Sequence, residues 1–440
     1  MPGSRRPGPH PTTLSLARRA SHRLGREMNT NHTSLGPKAD KETVRRHNLS
    51  LVLRAVRDEG EATRAGVAAR VGLTRAAVSS LVEQLLESGF LSESGKTFSG
   101  QAGRPGTVLK VTRSGPAGIG VEINIDYVSV CVVDLSGTDR VRLTEHIDNR
   151  GALPAEVLAR GARIAARTLE SAAEQELIPV GVQLALPGLV SGGTVRQAPN
   201  LGWNRVPAEE LFARALAELR PDVPALPVSS ENEANLAALA ELWFGGLGPL
   251  RTFLYLTGEI GVGGALVLDG ELLRGAHGFA GEIGHVVVDA KGPLCRCGSR
   301  GCLEQYAGQS ALLRAAGIDE NSGVPGVAEL ERRARGGDAQ AVAAVEQAGV
   351  MLGRVLSGSV NLFDPDAVVL GGIYRELMPW LSPSADRELT ARVVSGLWPR
   401  DSGRLRASSS AGDAARGAAA LVVRAVLADP VAYVQRTTDR

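Results

Sequence analysis

"HGFAGEIGHVVVDAKGPLCRCGSRGCLEQYAG", residues 277–308, holds three of the chain's four cysteines within eight positions. Cys295, Cys297 and Cys302 stand among glycines, with His285 ten residues upstream. Two readings compete. Three thiolates and an imidazole are a donor set that closes tetrahedrally around a metal, and thiolates favour zinc. Clustered cysteines can equally serve redox chemistry. The choice governs how the rest of the chain is read.

A length of 440 residues exceeds what one compact core supports, so two or three domains are expected. No apolar run approaches the roughly twenty residues of a membrane span, and residues 2–31 lack the apolar stretch of a secretory signal. Four cysteines in so long a chain are no disulfide framework, which points to a reducing cytoplasm. The net charge of +2 conceals an asymmetry: residues 1–113 carry 19 Lys and Arg against 9 Asp and Glu, and the remainder 30 against 38. A basic front on an acidic body suits a polyanion-binding module joined to something that does not bind polyanions. A basic disordered tail would give part of the same signal, since half of the front's net charge sits in its first forty residues.

Residues 1–40 are Pro-rich, polar and aperiodic, and read as a disordered basic tail, with Met28 offering a second start for translation. From Glu42 the pattern becomes helical: Leu49, Val52, Leu53 and Val56 fall on one face. A short helix follows at 64–70, and Thr74 then N-caps a third with Val78, Leu81, Val82, Leu85 and Leu86 inward. Extended pieces around 90–91 and 108–111 complete a winged helix-turn-helix over 41–113, with the third helix as the DNA reader. Its exposed Thr74, Arg75, Ala77, Ser79 and Ser80 are small, polar or basic, as a surface entering a major groove should be. "GRPG" at 103–106 would present Arg104 from the wing to a minor groove. Three-helix modules also serve as protein-interaction domains; the charge bias and the wing favour DNA.

Beyond residue 114, strand-like pieces alternate with Ala- and Leu-rich helices at 154–176, 208–219, 233–244 and 339–362. That is an α/β domain, with glycine-rich turns after several strands, where phosphate or sugar ligands commonly sit.

"HGFAGEIGHVVVD" followed by "CRCGSRGCLEQYAG" resembles the signature of the ROK family of bacterial sugar kinases and sugar-responsive repressors. "LPGLV" (186–190), "ENEANLAALAE" (231–241) and "NLFDPDAVVLGGI" (361–373) agree with it. A winged helix in front places the chain with the xylose-repressor-like branch. The resemblance implies a two-lobed, actin-like (ribonuclease-H-like) sugar-kinase-type core: lobe I over 114–229, completed by a C-terminal helix at 411–430, and lobe II with a zinc site over 230–410.

It also implies that His285, Cys295, Cys297 and Cys302 hold a structural zinc ion, which decides between the two opening readings. The spacing agrees, because a redox pair usually has C-x-x-C spacing or an isolated thiol. Cys131 lies in an apolar strand and reads as packing. In the family's kinases the residues matching Asn232, Glu282, His285 and Glu304 hold sugar hydroxyls, with the catalytic base at the position of Glu233. Carboxylates accepting from vicinal hydroxyls are what a pyranose needs. Each alone would pass as a solvated surface residue.

Three departures from the kinase pattern speak against phosphoryl transfer. The kinases' D-x-G-G-T phosphate loop is here "VEINID", with Glu122, Asn124, Ile125 and Asp126 in place of the Asp, both glycines and the Thr. Loss of both glycines closes the backbone approach, and Asp126 opposes a polyanion. Glu259 in "TGEIGVGG" (257–264) replaces a hydroxyl residue, and Glu233 replaces the base Asp. A displacement of about 1 Å at the base costs on the order of a hundredfold in rate. No catalytic residue is therefore assigned. The expectation is a cytoplasmic, nucleoid-associated repressor that binds an inverted-repeat operator as a homodimer or homotetramer and answers to a sugar or sugar phosphate. The competing readings are an active ATP-dependent sugar kinase and a ligand-independent scaffold behind a DNA binder.

Overall fold

The computed structural model describes residues 40–97, 106–248, 250–396, 398–399, 402–409 and 413–438. Arg104 and the expected tail, Asp40 excepted, lie outside these residues. By compactness the chain divides into Met1–Arg45 and Arg46–Arg440. Of the first unit, the described part opens a helix, with Thr43 N–H donating to Asp40 Oδ1 at 2.6 Å.

The winged helix forms as its periodicity predicts. Helix α1 (Lys41–Glu59) buries Leu49, Val52, Leu53 and Val56. After β1 (Ala62–Thr63), Thr63 Oγ1 caps α2 (Arg64–Val71) by accepting from Gly66 N–H at 3.1 Å. Thr74 Oγ1 caps α3 (Arg75–Glu87) through Ala77 N–H at 3.2 Å, and Val78, Leu81, Val82 and Leu85 face inward. Leu86 is only partly buried. Strands β2 (Leu91–Thr97) and β3 (Gly106–Val111) close an antiparallel sheet in the order β1-β3-β2.

The core contains one topology twice. In the first sheet, β4 (Gly115–Ile123), β5 (Tyr127–Asp134) and β6 (Asp139–His146) form an antiparallel meander. Helix α4 (Pro154–Glu174) leads to β7 (Leu177–Leu186), parallel to β4. A small three-stranded sheet follows, of β8 (Leu189–Ser191), β9 (Thr194–Ala198) and β10 (Trp203–Val206). Helix α5 (Ala208–Leu219) returns to β11 (Val228–Asn232), parallel to β7. Helix α6 (Glu233–Phe244) crosses to the second sheet, where β12 (Phe253–Gly258), β13 (Val262–Leu268) and β14 (Glu271–Leu272) repeat the meander. Helices α7 (Glu304–Ala307), α8 (Gln309–Ala315), α9 (Gly323–Arg335) and α10 (Ala339–Phe363) precede β15 (Ala367–Gly372), parallel to β12. Helix α11 (Ile373–Arg392) then reaches β16 (Leu405–Ala407), parallel to β15. Orders β11-β7-β4-β5-β6 and β14-β13-β12-β15-β16 are one arrangement. This is the duplicated, two-lobed α/β core that was expected.

Within the range 411–430 stands α12 (Ala414–Ala428), and a further helix, α13 (Pro430–Thr438), follows it. Pro430 has no N–H to continue the ladder and drives Asp429 out of the helical region; Asp429 has φ −143° and ψ 78°. Helix α12 lies on β4, β5 and β7 of the first sheet, and its apolar residues share one core cluster with the winged helix. Ala415, Ala419, Val423, Val426 and Leu427 pack in one cluster with Leu53, Val56, Leu81 and Phe90, and Tyr433 meets Phe90 edge-on at 5.5 Å. Among the described residues no helix is long and apolar enough to cross a membrane.

Candidate functional site

The cysteine-rich stretch folds into a knuckle because its glycines allow tight reversals. Antiparallel bridges pair Val287 with Cys302 and Leu294 with Arg300, and Gly298 turns the tip at φ +95°. One donor atom from each of His285, Cys295, Cys297 and Cys302 lies within 4.8 Å of all the others. Cys297 Sγ and Cys302 Sγ are 3.7 Å apart, and His285 Nδ1 is 3.8 Å from Cys295 Sγ. Donors about 2.3 Å from a central tetrahedral zinc would stand about 3.8 Å apart, which matches both of these contacts. Burial pushes the Cys295 thiol up to about 12. A cation is what would make that thiolate stable. Cys131, by contrast, is fully buried in β5, with Arg142 Nη2 at 3.4 Å from its sulfur.

His285 presents its second nitrogen the other way: Nε2 is 3.9 Å from Glu282 Oε2. That side opens on a cleft between the two sheets, lined by residues of both halves of the core and open to solvent. Asn232, Glu233, Glu282, His285 and Glu304, the five residues expected at a sugar, all line it. Glu304 joins knuckle to cleft, with Oε1 3.8 Å from Cys295 Sγ and Oε2 against the backbone of Gly261. A Cβ on Gly261 would meet that carboxylate and displace it from the loop.

Asn232 has a second duty that its motif does not reveal. Its Oδ1 caps α6, accepting from Ala234 N–H at 2.9 Å and Asn235 N–H at 3.2 Å, and its Nδ2 donates to Gly188 O at 3.0 Å. Glu233, the first residue of α6, has its Oε2 buried without a hydrogen-bond partner. Burial, with Glu122 and Glu282 nearby, pushes its carboxyl up to about 8.

Further acidic residues stand near the other end of the cleft. Glu259 lies in the cleft wall, and burial with Glu233, Glu122 and Asp126 pushes it well above the carboxylate range. Ile125 is buried in the core of the first sheet. Glu122 serves the fold: its Oε1 accepts from Tyr127 OH at 2.6 Å and its Oε2 from Ala415 N–H, at the head of α12, at 3.2 Å. Burial and Asp413 push it up to about 7. Asn124 is likewise turned inward, its Oδ1 accepting from Ile125 N–H at 2.7 Å. Among the cleft's lining residues there is no Lys or Arg.

Sequence reasoning missed two features. Asn200 lines the cleft and accepts from Arg296 Nη1 at 3.3 Å, tying it to the residue between Cys295 and Cys297. Nothing in "APNLGW" distinguishes this asparagine from an ordinary turn residue. The attachment of α12 to the winged helix was also illegible, because an apolar helix carries no address. On α3, Thr74, Arg75, Ala77 and Ser80 are exposed and Ser79 is half-buried; Thr74 Oγ1 is already committed to the cap.

The sequence matches the ROK family over residues 118–425. It is 30% identical to the xylose repressor of Caldicellulosiruptor bescii over 74% of this chain and 82% of that protein. It is 32% identical to the glucokinase of Streptomyces coelicolor over 58% of this chain and 81% of that enzyme. In fold it resembles the crystal structure of a ROK family transcriptional regulator, a homologue of the E. coli MLC protein. The TM-score there is 0.69 at 24% identity, covering 88% of this chain and 97% of that one.

Proposed function

Because the chain belongs to the ROK family, we propose that it is a sugar-responsive, zinc-containing DNA-binding repressor whose core no longer transfers phosphate. The pairing of a winged helix with a cleft of sugar-binding character carries the reading. The match to a xylose repressor covers 74% of this chain, whereas the glucokinase match covers 58%. In this reading α3 enters the major groove through Arg75, Ala77, Ser79 and Ser80, with Arg104 in the wing. A two-fold homo-oligomer then meets an inverted-repeat operator.

Asn232, Glu233, Glu282, His285 and Glu304 hold the sugar. Carboxylates on several walls and no basic side chain among the lining residues favour an unphosphorylated sugar as effector. Zinc, when bound, would fix the knuckle and with it the positions of His285 and Glu304. The lesions at Glu122, Asn124, Ile125, Asp126 and Glu259 leave no amide cradle for a nucleotide's phosphates.

Helix α12 connects ligand to operator. It runs for 15 residues, about 22 Å, from Glu122 at its head to Ser50 of α1 at its tail, where Ser50 Oγ donates to Leu427 O at 2.8 Å. Arg46 and Asp429 pair just beyond. A sugar that alters the lobes would shift α12 and so the reader helices, provided its affinity differs between the two states.

The kinase reading has one feature in its favour: a carboxyl at the base position, pushed up to about 8, is tuned for proton transfer near neutrality. A thermal-shift screen of zinc-loaded protein against a sugar panel, with and without MgATP, separates the two. Saturation at a hundred times Kd stabilises by about 2.7 kcal/mol. A shift with one sugar alone supports the repressor; a shift that requires MgATP, with sugar-dependent ATP turnover lost in Glu233→Ala, restores the kinase.

A further inference from the structure

On the opposite side of α6 from the cleft's acids, a groove with about 1490 Å³ of space is walled by α1, β7, β14, α6 and α12. Its charge is the reverse of the cleft's: Arg54, Arg274 and Arg424 line it against a single carboxylate, Glu271. Among the described residues no carboxylate forms an ion pair with Arg54 or Arg424. The Arg424 guanidinium is nonetheless held in place, lying 4.4 Å from the ring centre of Trp243. It is half-buried, and burial together with the positive charges of Arg57 and Arg54 lowers its pKa. A fixed, desolvated cation beside two like charges costs free energy unless an anion completes it.

Arg274 relates this groove to the cleft. Its Nε donates to Glu231 Oε2 at 3.0 Å, while Glu231 Oε1 accepts from Asn232 N–H at 3.0 Å and Asn235 Nδ2 at 3.1 Å. One carboxylate thus restrains a groove arginine and the loop that presents Asn232 and Glu233.

We propose that the groove is a second ligand site, for a small phosphate-bearing metabolite held by Arg54, Arg274 and Arg424. The guanidinium fork matches phosphate oxygens in pairs, and the Trp243 face keeps the fork of Arg424 pre-oriented. Concave walls drawn from both sheets suit a small molecule better than the convex backbone of a duplex. The groove includes α1 of the DNA-binding module and α12, so an anion there would brace the same joint through which the cleft acts. Competing with Glu231 for Arg274, it would also loosen the restraint on Asn232. The site does not depend on what the cleft binds.

The test uses the full-length, zinc-loaded chain. Melting and calorimetric titration with inorganic phosphate, pyrophosphate and glucose 6-phosphate are compared with sodium chloride at equal ionic strength. Stabilisation by at least one phosphate-bearing probe is expected, with binding about tenfold weaker in Arg54→Gln. Arg54 is exposed, so its removal should leave the melting temperature in chloride unchanged; Arg424→Gln should abolish the response. An equal response in Arg54→Gln, or none in the parent protein, overturns the proposal. If Arg54→Gln instead weakens binding to an arbitrary DNA duplex while phosphates have no effect, the arginines serve the DNA backbone and the small-ligand site is refuted. A sugar response in the absence of any phosphate response would leave the repressor reading intact while removing this one.

Discussion

Glu233 carries an ordinary carboxyl into a place where its ionised form is costly. Its folded pKa of about 8 exceeds the ordinary 4.5, so the folded chain keeps a proton that the unfolded chain releases. The stability this group contributes is therefore full below pH 4.5 and is lost as pH rises through about 8. Glu233→Gln, which keeps the shape and cannot ionise, should melt close to the parent's temperature at pH 4 and above it at pH 9; equal melting at both would contradict the assignment. Asn232 acts in a different way, since its Oδ1 is a helix cap whatever the cleft binds. Asn232→Ala should cost about 1 kcal/mol in denaturant unfolding without any sugar. Loss of sugar response in that variant alone is therefore weak evidence for a ligand contact, and Glu282→Gln, with no cap to lose, is the cleaner probe.

At the scale of elements, the knuckle from His285 to Cys302 has little apolar core of its own: Val286, Val287 and Leu294 are exposed. Its geometry must come from its ligands, as in small domains whose metal supplies the folding energy. Elemental analysis should find about one zinc per chain, falling to near zero in Cys302→Ser. Because Glu304 touches both the knuckle and the cleft, the same variant should lose sugar binding while α1–α3 remain folded. A metal-free variant that still binds sugar with unchanged affinity would separate the two sites. Helix α3, by contrast, was legible from its own residues, since its cap, apolar face and exposed face all lie within 74–87.

Over the whole molecule, Glu122 at the end of β4 holds one end of a helix whose other end reaches the winged helix. Glu122 accepts from Tyr127 and from the head of α12, while Ser50, Phe90 and Tyr433 engage its tail and the helix beyond. Glu122→Ala should leave the sugar Kd within about twofold and greatly reduce the effect of sugar on DNA affinity, because the coupling free energy is typically about 1–3 kcal/mol and runs through that joint. Anisotropy with labelled operator, at several sugar concentrations, measures it. Retention of the full sugar effect would place the coupling elsewhere.

Local order determined what the sequence alone could give. Helical periodicity, threonine caps and the Cys-x-Cys spacing depend on residues within a few turns, so the winged helix, the alternation of strands and helices, and the four donors of the knuckle were all readable. The family signature brought together Asn232, Glu282, His285 and Glu304. Only the tertiary structure decided that Glu122 accepts from the head of α12, that Asn200 lines the cleft, and that Arg54 of α1 and Arg424 of α12 line one groove beside Trp243. These facts join residues hundreds of positions apart. No short-range pattern encodes such a meeting, because burial and charge at each site are set by what the rest of the chain packs against it.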